Sequence, residues 1–95
     1  MFPIVDRRKL SESLTEIVID APLIARAAKP GNFVLVRGDE YGERIPLTIA
    51  DSDAARGTVT LVMQEIGKGT KALGAFQPGQ AYQNVVGPLG KDREI

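Results

Sequence analysis

The chain contains neither cysteine nor histidine among its 95 residues. Disulfides, thiolate metal sites, iron–sulfur ligation, cysteine or histidine nucleophiles and imidazole acid–base catalysis are thereby excluded. Any redox work must come from a bound cofactor. An excess of charge is also lacking: twelve basic residues balance twelve acidic ones. The basic residues are scattered rather than gathered into a stripe, which argues against a nucleic-acid partner. Aromatics are only 5% of the chain and form no stacking platform, which disfavours an oligonucleotide-binding barrel. Apolar runs are no longer than a strand, far short of the roughly 20 residues that span a bilayer. Met1-Phe2-Pro3 does not open a secretory leader, so a cytoplasmic location is expected.

The chain has 43% apolar and 25% charged residues, the balance of a globular domain. Its length suits one modest core. Strand-like runs alternate with turn residues at intervals of roughly ten, which predicts an all-β fold of about six antiparallel strands. Phe2 to Leu10 turns charged at Asp6-Arg7-Arg8-Lys9 and suits a sheet edge. Ser13 to Asp20 alternates, with Thr15, Ile17 and Ile19 on one face. Pro22 and Pro30 bracket an alanine-rich stretch that is read as a loop or a single helical turn. Phe33-Val34-Leu35-Val36 is nearly continuous in apolar character, as in a strand closed into a barrel.

Ile45 to Ala50 and Thr58 to Glu65 form the next expected pair, joined by a hairpin over residues 51–57. Pro46 lacks a ladder donor and should face an edge, a bulge or a ligand. One short helix follows Gly67-Lys68-Gly69, with Ala72, Leu73 and Phe76 spaced to touch the core. Gln80 to Val86 supplies the last strand. The barrel is assigned to residues 1–88, and the charged stretch 89–95 reads as the start of a linker to a further domain.

Several residues are candidates for binding. Arg44 offers a permanently charged planar fork to phosphate oxygens, although beside Glu43 it also suits a solvated surface. Thr48 is a hydroxyl in the otherwise apolar strand Ile45-Pro46-Leu47, bonding either within the sheet or to a ligand. Gly67, Gly69 and Thr70 form a glycine-rich turn into a helix, where bare amides attract an anion. The turn lacks the spacing of a nucleotide-hydrolysing loop. Asp51 and Asp53 fall in the hairpin and read as turn residues. Tyr41 and Tyr82 read as packing residues with hydroxyls in water. Cation, hydroxyl strand and glycine corner together suit a ligand with a pyrophosphate at one end and a planar ring at the other, such as FAD. A small barrel serving only as an interaction or assembly module is the alternative.

The segments Pro30-Gly31-Asn32-Phe33-Val34, Arg44 to Asp51, Gly67 to Leu73 and Gly87-Pro88-Leu89-Gly90 occur in an order that resembles the N-terminal flavin domain of the ferredoxin–NADP reductase superfamily. Within it the resemblance runs to the FAD-binding subunit of NADH-dependent reduced ferredoxin:NADP oxidoreductase, sulfide dehydrogenase-like, and to the dihydroorotate dehydrogenase electron-transfer subunit. The resemblance implies a Greek-key antiparallel barrel that binds FAD. It implies that Ile45, Pro46, Leu47 and Thr48 form the first flavin segment, with Leu47 against the isoalloxazine and the Thr48 hydroxyl near its central ring. Val62, Met63 and Gln64 would offer backbone groups to the ribityl chain or ring, and Gly69 and Thr70 would cradle the pyrophosphate.

The superfamily arginine usually stands where this chain has Ile45, so Arg44 would reach phosphates only through a bulge or along the strand end. An NAD(P)-binding domain and an iron–sulfur segment are implied for the remainder of the protein. So are electron passage between NAD(P)H and ferredoxin or a partner subunit, and a barrel that binds FAD without turnover by itself.

Overall fold

The computed structural model describes residues 1–90. Seven strands are present: β1 (Phe2–Lys9), β2 (Leu14–Asp20), β3 (Phe33–Arg37), β4 (Ile45–Asp53), β5 (Thr58–Gln64), β6 (Ala81–Tyr82) and β7 (Asn84–Leu89). Two short helices join them, α1 (Pro22–Ala27) and α2 (Lys68–Gly74). The expected last strand is divided at Gln83 into β6 and β7, and β7 runs through Leu89, which pairs with Phe33. The expected charged linker beyond Gly90 lies outside the described residues.

All strand pairings are antiparallel, in the order β6-β1-β2-β5-β4-β3-β7. Its two outer members, β6 and β7, are separated in sequence by Gln83 alone, so the curled sheet nearly closes on itself. Curling shortens, without abolishing, the free edges that an open sheet would present to other chains. The placement of β5 beside β2, with β3 and β4 beyond it, gives the Greek-key arrangement. The charged half of β1 pairs only with β2, from Asp6 to Lys9, while β6 touches just Phe2 and Pro3.

Alternation places the core as expected. Thr15, Ile17 and Ile19 of β2 and Val59, Leu61 and Met63 of β5 all point inward and are essentially inaccessible. Val34 and Val36 of β3 join them, and Leu73 caps the end of the barrel. Tyr82 is fully buried, with its ring 4.9 Å from that of Phe76 and its hydroxyl donating to the Leu73 carbonyl at 2.7 Å. Burial pushes the phenol above its ordinary pKa, so the hydroxyl stays a donor. The expectation of a wet Tyr82 hydroxyl is thus corrected.

Pro22 begins α1 at a position where its missing N–H has no intrahelical partner in any helix, so it starts the helix rather than preventing it. Ile24 and Ala25 bury the inner face. Among the described residues no helix is long and apolar enough to cross a membrane.

Candidate functional site

β4 changes partner along its length. From Ile45 to Thr48 it pairs with β3, and from Ile49 to Asp53 it pairs with β5, with an irregularity between Ile49 and Asp51. The expected pairing of Ile45–Ala50 with β5 is therefore displaced toward the hairpin, and Asp51, Ser52 and Asp53 belong to the strand. Beyond Ile49 and Leu61 the two strands part. Val62, Met63 and Gln64 remain paired with β2 but not with β4. Two facing strand edges are left open there, with Pro46 where β4 has β3 as its one neighbour, as its missing donor requires.

The side chains divide around this opening. Leu47 and Met63 are buried in the core. Leu47 accordingly presents only backbone and the strand surface to anything lying outside. Pro46, Thr48 and Gln64 are exposed on the outer face, with Ile45 and Val62 half-buried.

The glycine turn lies at the near end of the same strand. A side chain on Gly69 would collide with Ile45 Cδ1 and would stand 3.1 Å from Glu43 Oε1. The first and third sequence segments are thus in direct contact. The amides of Lys68, Gly69 and Thr70 belong to the first turn of α2, where N–H groups have no acceptor four residues back within the helix. Lys71 N–H closes the turn by donating to the Gly67 carbonyl at 3.0 Å. The Thr70 hydroxyl is turned inward: it accepts from Gly67 N–H and donates to the Gly67 carbonyl, both at 3.1 Å. It braces the corner from behind instead of facing outward.

Arg44 precedes the first residue of β4 and is exposed, with no hydrogen bond or ion pair among the described residues. It lies outside the strand, so strand alternation does not fix its direction. Ile45, next along the chain, points at Gly69.

A cleft of about 290 Å³ runs between the β3–β4 loop and α2, lined by Tyr41, Gly42, Glu43, Lys68, Gly69 and Ala72. Ala72 is exposed in this cleft, which corrects its expected place in the core. Leu73 and Phe76 do face inward, one residue round the helix. Tyr41 is 91% exposed and not a packing residue. Among the described residues no group of three or more acidic side chains is arranged to hold a metal.

A second polar cluster, which the sequence reading missed, fixes α2 to the barrel wall. Glu65 accepts from the Thr15 hydroxyl, and Lys9 Nζ approaches both its oxygens, at 3.3 and 3.4 Å. Arg7 Nε donates to the Gly74 carbonyl at 2.8 Å. The Thr15 hydrogen bond leads in holding Glu65 below the ordinary carboxylate pKa; desolvation opposes it, and Lys9 and Arg7 assist. A buried threonine within an apolar alternation was the available signal.

No protein-family model matches the chain. It is similar to a protein encoded in the adh 3′ region of Clostridium beijerinckii, 50% identical over 95 residues, covering 100% of this chain and 32% of that protein. The dihydroorotate dehydrogenase B (NAD(+)) electron transfer subunit homolog of Thermotoga maritima is 40% identical over 92 residues, 97% of this chain and 33% of the relative. Among solved structures, that of an NADH-dependent reduced ferredoxin–NADP oxidoreductase, described in connection with flavin-based electron bifurcation, superposes with a TM-score of 0.95. Its sequence identity is 38%, covering 99% of this chain and 34% of that one. The chain spans about a third of the length of the curated relatives it matches.

Proposed function

The chain belongs to the ferredoxin–NADP reductase superfamily as its ferredoxin reductase-like barrel domain, and from that membership we propose that it binds FAD for an electron-transferring oxidoreductase. The observation that carries the proposal is the parting of β4 from β5 beside the Gly69 corner. An open strand edge and first-turn amides on one surface fit a ligand that is flat at one end and anionic further along.

Thr48 offers a hydroxyl on the outer face, and the backbone of Val62 to Gln64 offers hydrogen-bonding groups across the gap. The amides of Lys68, Gly69 and Thr70 donate to the pyrophosphate, while the Thr70 hydroxyl keeps their turn closed. Arg44 adds positive charge at the rim, screened by solvent. Leu47 and Met63 support the floor from inside the barrel. FAD supplies the hydride and single-electron chemistry that no side chain here possesses, and the protein orients it.

Among the described residues none covers the outer face of a ring lying on Pro46 and Thr48. The relatives continue to about three times its length, and we assign an NAD(P)-binding domain, an iron–sulfur cluster and contacts with ferredoxin or a partner subunit to such a remainder. The barrel alone then binds FAD without turnover. Titration of the chain with FAD, followed by flavin absorbance and fluorescence after removal of free ligand, tests the proposal. Retained flavin near one equivalent is expected; a cofactor that washes out completely would leave only a scaffold barrel.

A further inference from the structure

We infer that Tyr41 is the stacking platform for the adenine ring of FAD, an inference that rests on the flavin reading above. The order of groups along one surface carries it. Thr48 lies three residues beyond Ile45 on β4, about 10 Å at strand spacing. Ile45 touches the Gly69 corner. On the other side of Ile45 the chain leads back through Arg44 and Glu43 to Tyr41, which faces Lys68, Gly69 and Ala72 across the 290 Å³ cleft. A dinucleotide with its phosphates at Gly69 and its flavin toward Thr48 therefore directs its second ring into that cleft.

The walls suit a flat ring. On the helix side, Gly69 has no side chain and Ala72 only a methyl group, so a planar surface meets little relief beside the one long side chain, Lys68. On the loop side, the tyrosine ring is 91% exposed, with no aromatic neighbour among the described residues. Its backbone is nevertheless fixed: Tyr41 N–H donates to Asp39 Oδ1 at 2.9 Å, and Gly42 N–H donates to the Asp39 carbonyl at 3.1 Å. An exposed aromatic on a braced turn loses little conformational freedom when a base stacks on it.

The experiment compares FAD with FMN, which keeps the flavin and one phosphate but has no adenosine half. Tyr41→Ala should weaken FAD binding by roughly ten-fold, the scale of one base stacked on an aromatic ring, and leave FMN affinity unchanged. Tyr41→Phe should bind FAD as the wild type does. If the wild type holds FAD and Tyr41→Ala holds it equally well, the stacking role is refuted while the flavin site stands. A parallel loss of FMN in Tyr41→Ala would also overturn it, because the effect would not lie at the adenosine end. If the wild type binds neither flavin, the flavin reading falls and this inference with it.

Discussion

Gly69 of α2 and Ile45 of β4 are in such close contact that no side chain can be added at Gly69 without moving Ile45 Cδ1. The glycine is thus explained by the packing of helix on strand, before any ligand is considered. Gly69→Ala should be almost neutral: turning Ile45 aside costs about 0.5–1.5 kcal/mol, and the better helix former returns about 0.8–1 kcal/mol. Gly69→Val adds two branches and should destabilise by about 1–3 kcal/mol. Ile45→Val removes the colliding methyl and should restore part of that loss, which a double-mutant cycle in urea measures. Equal stability of Gly69→Val in both backgrounds would refute the contact. FAD affinity in the Ile45→Val, Gly69→Val double mutant then reports on ligand approach with less interference from packing, and should still fall below that given by Arg44→Ala.

Glu65 links acid stability to the seating of α2. Its folded-state pKa lies below the unfolded value, chiefly through the Thr15 hydroxyl. The stabilisation is therefore complete above the unfolded carboxylate pKa and is lost as pH falls through the folded value. Urea midpoints should decline as pH falls through and below the ordinary carboxylate range. Thr15→Val removes the donor from a fully buried position and should lower stability at neutral pH while flattening this decline. A Thr15→Val variant whose acid profile parallels the wild type would exclude the pair as the source.

Much of this architecture was legible from alternation alone, because Thr15, Ile17 and Ile19 and then Val59, Leu61 and Met63 repeat with the period of a strand buried on one face. The change of partner within β4 was not legible, since the irregularity between Ile49 and Asp51 is imposed by two different neighbours. Pro22 was weighed as a breaker although its position at the helix start makes it harmless. At the candidate site, motif order correctly brought Ile45 and Gly69 to one place. The Leu47 side chain follows the core periodicity, and the Thr70 hydroxyl bonds within its own turn, two placements that motif order by itself does not give. Tyr41 carried no periodic signal at all, and only the fold reveals that it faces the cleft beside Gly69.

Thr48 is exposed on the outer face of β4, so its hydroxyl is not needed by the core. Thr48→Val keeps the shape of the side chain and removes only the hydrogen-bonding group. FAD affinity should change less than about three-fold, within one exposed hydrogen bond, whereas the potential of the bound flavin should shift because a polar group near the ring is gone. Spectroelectrochemical titration of the loaded protein measures it. An unchanged potential would assign the hydroxyl to the surface and not to the flavin.

Glu43 and Arg44 place opposite charges side by side at the edge of the anion corner, and their effects should separate. The Glu43 carboxylate is directed toward Gly69, where it would oppose a phosphate on the nearby amides. Glu43→Gln should therefore tighten FAD binding a few-fold at low ionic strength, and Arg44→Ala should weaken it by a similar modest factor. Both groups are solvent-exposed, so each effect should shrink as salt rises and the screening length falls to roughly 3 Å at 1 M. If Glu43→Gln leaves affinity unchanged at every ionic strength, the pyrophosphate does not lie beside Gly69, because a like charge that close must be felt in dilute salt.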